Sequence, residues 1–269
     1  MLRFCSLASG SQGNATLVEA FDGTHHTRVL IDCGLGERQL NARLSKLNLS
    51  PAQLDGIFLT HEHGDHTGCA LAVSARWRVP IWTSAGTWGA LAPKTSKPKP
   101  LLNQTPAAPP PVHLCSDGQT VHIGGLQLHP FTVPHDAREP LQLTCSDGNR
   151  RLGILTDLGH VTAHALAQLA NCHALLLESN HCPDLLADSH YPPFLKRRVG
   201  GSHGHLSNPQ AAAALKALSH PALHTVVGAH LSEHNNRPAL VQASFAQVLG
   251  CAPDEVLLSS RHGLDWSSV

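Results

Sequence analysis

The chain has 269 residues, with 19 basic side chains against 19 acidic ones, 14% charged residues and 4% aromatic residues. This balance sets up no strong field that would draw the chain to nucleic acid or a membrane surface by charge alone. No stretch approaches the ~18 apolar residues that span a bilayer, and Met1-Leu2-Arg3-Phe4-Cys5-Ser6 turns polar too early for a secretory leader, so the expected location is cytoplasmic, with no membrane partner.

Residues 1–8, 14–20 and 27–32 read as strands between glycine and polar turns. A helix is predicted over 37–48, with Leu40, Leu44 and Leu47 on one face, followed by the apolar strand Gly56-Ile57-Phe58-Leu59-Thr60. A helical stretch after His66 leads to a strand at Val79-Pro80-Ile81-Trp82 and then to a Pro-, Lys- and Ser-rich surface excursion over 93–112. The second half repeats the theme, with strands near 112–116, 120–123, 126–133, 141–145, 152–156 and 174–177, and a helix near 161–170. A helix over 209–218 takes Ser207 or Asn208 as its cap and Pro209 in its first turn. A strand over 225–229 and a helix over 237–249 then close the chain. Two sheet-rich halves with interspersed helices predict an α/β sandwich of sheets covered by helices, built as one domain or as two closely packed repeats. The eight cysteines, at 5, 33, 69, 115, 145, 172, 182 and 251, are scattered without framework spacing and read as reduced thiols.

The densest chemistry lies in Thr60-His61-Glu62-His63-Gly64-Asp65-His66, at the end of an apolar strand. Imidazole nitrogen and carboxylate oxygen suit zinc, and also manganese or iron. His61 and His63 can face one ion while Asp65 and His66 turn to a second. A structural zinc would more often use Cys-x-x-Cys pairs, which this chain lacks. Further ligands must come from elsewhere, and three polar residues end apolar strands: His135 after Phe131-Thr132-Val133-Pro134, Asp157 after Ile154-Leu155-Thr156, and His230 after Val226-Val227-Gly228-Ala229. A carboxylate such as Asp157 can bridge two cations.

These motifs resemble the metallo-β-lactamase-fold hydrolases. The resemblance spans nearly the whole chain and implies a single domain over 1–269, an αββα sandwich of two mixed sheets flanked by helices. It also implies that His61, His63 and His135 hold a first metal, Asp65, His66 and His230 a second, and that Asp157 bridges them. Asp32, in Leu30-Ile31-Asp32-Cys33-Gly34, matches the family's aspartate that orients the metal loop, and also reads as a turn-capping residue. The chain is more closely similar to the YycJ (WalJ) exonuclease group. The stretches carrying this are Leu7-Ala8-Ser9-Gly10-Ser11-Gln12-Gly13-Asn14, Pro134-His135-Asp136-Ala137, Thr156-Asp157-Leu158-Gly159, Leu177-Glu178-Ser179-Asn180-His181, Gly204-His205-Leu206-Ser207-Asn208 and Ala229-His230-Leu231-Ser232-Glu233-His234-Asn235-Asn236. His181-Cys182 departs from the group, where an acidic residue would follow the histidine, and His160 is atypical.

Glu178 and His205 resemble the proton-donating Glu and His of tRNase Z. On the residues alone they also read as a strand-ending charge and a surface-loop histidine. Only about 70 residues separate Asp157 from His230, too few for the inserted domain of RNase J. The resemblance implies a metal-dependent phosphodiesterase, a 5′-to-3′ exonuclease on DNA connected with repair, using a hydroxide activated by two divalent transition metals, Zn²⁺ or Mn²⁺ with iron also suited. Asp65, Asp157, His205 and Glu178 would be its catalytic residues. Lys196-Arg197-Arg198 beside Tyr191 and Phe194 offers charge for phosphates and rings for bases, and equally describes a solvated face. Ser9 to Asn14 reads as an anion-binding nest or a hairpin turn. A small-molecule hydrolase acting on a cyclic nucleotide, lactone or thioester is the alternative. A binding or repair-assembly protein with structural metals is a third class, and the sequence leaves room for a homo-oligomer.

Overall fold

The computed structural model describes residues 1–92 and 111–269, so nearly all of the excursion expected over 93–112 lies outside the described residues. The first half comprises β1 (Leu2–Ala8), β2 (Ala15–Phe21), β3 (His26–Ile31), α1 (Glu37–Lys46), β4 (Gly56–Leu59), α2 (Gly64–Thr67), α3 (Ala70–Trp77), β5 (Ile81–Thr83), α4 (Ala85–Leu91) and β6 (Val112–Leu114). The second comprises β7 (Val121–Ile123), β8 (Leu126–Thr132), β9 (Leu141–Ser146), β10 (Arg151–Leu155), α5 (Ala163–Leu169), β11 (Ala174–Glu178), α6 (Pro183–Asp188), α7 (Pro193–Val199), α8 (Asn208–Leu218), β12 (Thr225–Ala229), α9 (Pro238–Leu249), β13 (Leu257–Leu258) and β14 (Leu264–Ser268).

Two seven-stranded sheets run β14-β1-β2-β3-β4-β5-β6 and β13-β12-β11-β10-β9-β8-β7. Both are mixed: β14, β1, β2 and β3 pair antiparallel and β3 to β6 parallel, while β10 to β13 pair parallel and β7 to β10 antiparallel. The inner faces meet in a core containing Phe4, Val18, Phe58, Leu128, Leu143, Ile154, Leu176 and Val227. The outer face of the first sheet is covered through Leu40, Leu44 and Val73, that of the second through Leu169, Leu215, Val241 and Phe245. Strands covered on both faces read as continuous apolar runs. β4 and β11 are accordingly buried at every position. The layers are helix, sheet, sheet, helix.

The helix expected over 37–48 stops at Lys46, so Leu40 and Leu44 are buried while Leu47 serves as its C-cap. Ser207 caps α8, its backbone N–H donating to Gln210 Oε1 at 2.9 Å, with Asn208 as the first helical residue. The expectation that the helix over 237–249 closes the chain is corrected: β13 and β14 follow it, and β14 pairs antiparallel with β1 as an edge strand. Leu-Asp-Trp-Ser-Ser gives β14 too little apolar alternation to announce itself. Helices α4, α6 and α7 also lie outside the elements predicted, each only six or seven residues long and too short for a helical period to emerge. Among the described residues no helix is long and apolar enough to cross a membrane.

Candidate metal centre

β8 and β10 each run antiparallel to β9, and β10, β11 and β12 are mutually parallel, so these four strands end at one edge. His135, Asp157 and His230 lie just beyond β8, β10 and β12, and Glu178 is the last residue of β11. The first sheet supplies the loop after β4 and the single turn of α2, which carries Asp65 and His66. A backbone bond from Leu141 N to Thr60 O, 2.9 Å long, ties the two edges together.

Three strand ends share a backbone device. Asp32, Asp157 and His230 have φ of 59°, 54° and 53°. This left-handed conformation is uncommon for residues other than glycine and persists only where the surroundings enforce it. At His230 the enforcement is visible: its N–H donates to Ser9 Oγ at 2.8 Å and its carbonyl accepts from Asn180 Nδ2 at 2.9 Å. Asp32 accepts from Thr60 N at 2.9 Å and from Thr60 Oγ1 at 2.9–3.0 Å, and its Oδ2 lies 2.7 Å from His66 Nδ1. It therefore fixes the metal loop from behind.

Two donor clusters result. His61 Nε2 and His135 Nε2 lie 3.1 and 3.3 Å from His63 Nδ1. Beside them, Asp65 Oδ2 is 3.6 Å from His66 Nε2 and 3.7 Å from His230 Nε2. Asp157 reaches both sides of this second cluster, with Oδ2 3.0 Å from His66 Nε2 and Oδ1 3.5 Å from His230 Nε2. It also groups with His61 and His66. His61, His66, His135, Asp157 and His230 are all buried.

The orientation of the rings tests whether a cation fits. His135 Nδ1 faces Gly204 O at 3.1 Å, His66 Nδ1 faces Asp32, His230 Nδ1 faces Glu178 Oε1 at 3.2 Å, and His61 Nδ1 faces Thr60 Oγ1 at 3.0 Å. Each ring can thus donate its Nδ1 proton backwards and present the Nε2 lone pair to the cluster, the arrangement of metal-ligating histidines. Asp157 Oδ2 and His230 Nε2 are buried without a hydrogen-bond partner. Such a group costs about 1–3 kcal/mol unless something satisfies it. Burial holds His61 well below the ordinary histidine range and lowers His135 too, keeping both rings neutral. At His230 burial pulls the pKa down, but Asp157, Asp65 and Glu178 outweigh it and push it up to about 10. At Asp157 burial would raise the carboxyl, yet His230 and His66 hold it well below the carboxylate range. This pocket favours positive charge, and its nitrogen and oxygen donors fit a divalent metal.

Glu178 joins the donor cluster around His230 to His205. Its fully buried carboxylate places Oε1 2.8 Å from His205 Nδ1 and 3.2 Å from His230 Nδ1, while Oε2 accepts from the backbone of Leu158 and Leu206. His205 retains 22% side-chain exposure and lies 3.4 Å from Asp157 Oδ1. All of these groups except the buried His61, His66 and Glu178 line a cleft of about 340 Å³, together with Ser11, Gly64, Asp136, Leu195, Arg198, Val199 and Gly204.

The structure therefore brings together His61, His63, Asp65, His66, His135, Asp157, Glu178, His205 and His230. Of Lys196, Arg197 and Arg198 only Arg198 lines the cleft; Lys196 Nζ donates to Ala187 O, and Phe194 stands exposed. Residues 9–14 form the β1–β2 turn, and Asn14 braces the metal loop, its N–H donating to Asp65 O at 2.7 Å. Sequence reasoning missed Asn14 and Asp136 as parts of the site. The signal for Asp136 was its place directly after His135. His181 is buried, its carbonyl accepting from Asn208 N, and His160 sits outside the cleft with its ring on Ser202 O.

A family model described as a beta-lactamase superfamily domain matches residues 27–230, well over half of the chain. The chain belongs to the beta-lactamase superfamily. Within it, this superfamily member is 31% identical to the exodeoxyribonuclease YycJ of Bacillus anthracis, over 92% of the chain and 89% of that protein. It is 29% identical to the exodeoxyribonuclease WalJ of Streptococcus pneumoniae, over 93% of the chain and 89% of that protein. These matches place it in the YycJ/WalJ group. The metallo-beta-lactamase fold protein YhfI from Bacillus subtilis superposes with a TM-score of 0.73 over 99% of this chain and 98% of its own, at 15% identity. That likeness carries the fold alone; the superfamily match and the exodeoxyribonuclease relatives show that the superfamily member is a hydrolase.

Proposed function

We propose that this superfamily member is a metal-dependent nuclease, an exodeoxyribonuclease that works from 5′ to 3′ on DNA with two divalent ions, Zn²⁺ or Mn²⁺. The observation that carries the reading is a pair of donor clusters meeting at Asp157, directly beside a hydrogen-bonded Glu178–His205 pair. His61 Nε2, His63 Nδ1 and His135 Nε2 would hold one ion, Asp65 Oδ2, His66 Nε2 and His230 Nε2 the other, and Asp157 would bridge. Bound there, divalent cations lower the pKa of a water toward neutrality and offset charge on phosphate oxygens.

The chain's own groups do the rest. Asp32, Thr60, Glu178 and the Gly204 carbonyl hold the ligand rings by their Nδ1 atoms, so the donor atoms need no reorganisation. At His205 burial lowers the pKa, but Glu178 outweighs it and keeps it above the ordinary histidine value, which favours the protonated ring. With Nδ1 committed to Glu178, Nε2 is the atom that can donate to the departing 3′ oxygen as the P–O bond breaks and water's oxygen joins the phosphorus. Glu178, buried, acts through His205 and His230. The names of the YycJ and WalJ relatives support DNA as the substrate.

The test is purified protein with Mn²⁺ or Zn²⁺ on 5′- and 3′-labelled single- and double-stranded DNA and RNA. Stepwise shortening of DNA from its 5′ end is expected. Turnover of small esters or cyclic nucleotides with DNA left intact would overturn the reading in favour of a small-molecule hydrolase.

A further inference from the structure

A cleft that accepts a phosphodiester needs a group to meet the negative oxygens that the metal site does not reach. Among the described residues lining this cleft, Arg198 is the single lysine or arginine. It sits in the last turn of α7, with its side chain 59% exposed. Its Nε donates to Asp136 Oδ2 at 2.5 Å. Asp136 follows the ligand His135, its N–H donates to His203 O at 3.0 Å, and its Oδ1 lies 3.5 Å from His135 Nε2 and 3.8 Å from His63 Nε2.

The same helix is fastened to the other side of the site. His205 N donates to Val199 O at 2.8 Å. A Cβ at Gly204 would stand 2.1 Å from Arg198 O and 2.2 Å from Val199 O, so only glycine lets the His205 loop approach α7 this closely. Arg198 is thus registered against His135 through Asp136 and against His205 through Val199. With Nε held by Asp136, Nη1 and Nη2 are the atoms left to the cleft, a fork matched to two oxygens of one phosphate.

From this we infer that Arg198, oriented by Asp136, grips the non-bridging oxygens of a substrate phosphate beside the metal centre and so selects phosphate esters over neutral ones. Arg198 touches the substrate; Asp136 is a positioning residue. The inference deepens the nuclease reading and rests on it for the identity of the strand, but the phosphate contact can be read separately.

Two measurements decide it, on the full chain with Arg198→Ala, Arg198→Lys and Asp136→Ala. The first is binding of inorganic phosphate and of a fluorescein-labelled single-stranded oligonucleotide to chelator-treated protein at low salt. The second is kcat and KM of the metal-loaded protein on the same oligonucleotide, with metal content and melting temperature recorded beside them. A charged hydrogen-bonded contact predicts about 10- to 100-fold weaker binding and higher KM for Arg198→Ala, a smaller change in kcat, and unchanged metal content. Arg198→Lys should recover only part of the loss, because a point charge replaces a fork. Asp136→Ala should weaken binding less than Arg198→Ala. If the parent leaves DNA intact but binds phosphate through Arg198, the nuclease reading fails and the clamp stands. If Arg198→Ala binds both probes like the parent, or the parent binds neither, the clamp is overturned. Equal loss of melting temperature and binding in Arg198→Ala and Arg198→Lys would assign the pair to loop bracing and overturn it too.

Discussion

The two halves of the molecule build the same site by different means. The first half concentrates its contribution: His61, His63, Asp65 and His66 leave the end of one strand within six residues. The second distributes it, one residue per strand end, with His135, Asp157, Glu178 and His230 drawn from four strands that run in one direction. A loop carrying many donor groups needs bracing from outside, which Asp32 and Asn14 supply. Donor groups on strand ends are placed by the sheet itself, and the left-handed turns at Asp157 and His230 do the aiming. The clusters join where the sheets meet, so neither half is complete alone.

The largest effect should come from the residue at the seam. Asp157→Asn keeps the shape of a side chain that touches His66 and His230 but removes the charge shared between the clusters. Hydrolysis should fall below detection, elemental analysis should find less metal per chain, and circular dichroism should stay like the parent's. Near-parent turnover at limiting metal would break the idea that the halves are joined through Asp157.

His205→Ala tests the distributed half without touching a ring in either proposed ligand set. Loss of a general acid costs about 10²–10⁴ in rate. Metal content should not change, and a nitrophenyl phosphodiester, whose leaving group needs no proton, should be cleaved almost as fast as by the parent. An equal loss on both substrates would make His205 a binding or coordinating group instead.

Asp32→Ala probes the bracing of the concentrated half. Outer partners of metal ligands are worth about 10- to 100-fold in metal affinity. Competition with a chromophoric chelator should show a loss in that range, whereas removing one strand-end bond, as in Ser9→Ala beneath His230, should cost less. Comparable losses at both positions would erase the distinction between a braced loop and self-placed strand ends.

The smallest functional effect is expected away from the site, at Glu19. This buried carboxylate on β2 faces Arg3 on β1, 2.6 Å away, and Arg28 on β3, also 2.6 Å away. Burial would raise its pKa, but the two arginines outweigh burial and hold it below the usual carboxylate range. The folded value is depressed, so the stabilisation is fully present above the unfolded value near 4.3 and is lost as pH falls through the folded one. Glu19→Gln should cost about 2–3 kcal/mol at pH 7, since it leaves part-buried arginines unpaired, and leave kcat unchanged. The gap in melting temperature should close as the pH drops below about 4. A gap that persists undiminished at acid pH would trace the loss to packing rather than charge.

How much was legible follows the same division. The metal loop shows in the sequence because its donors are neighbours in the chain, and a strand-ending apolar run marks where they emerge. The long strands and helices show because their burial pattern repeats within a few residues. Helix α7 and strand β14 do not, being short and polar, and their place comes from pairing with segments far away, β14 with β1 across the whole chain.

By itself the sequence determined which residue types are available for the chemistry and that several of them end apolar strands. The tertiary structure decided which nitrogen of each ring faces inward, because Asp32, Thr60, Glu178 and the Gly204 carbonyl are the partners that set it. It also decided that Glu178 serves two histidines, 27 and 52 residues away, and that Arg198 reaches Asp136 across 62 residues. Periodicity and capping act over a few residues and can be read along a chain. The direction of a lone pair and the partner of a buried charge depend on groups that only the tertiary fold brings to hydrogen-bond distance.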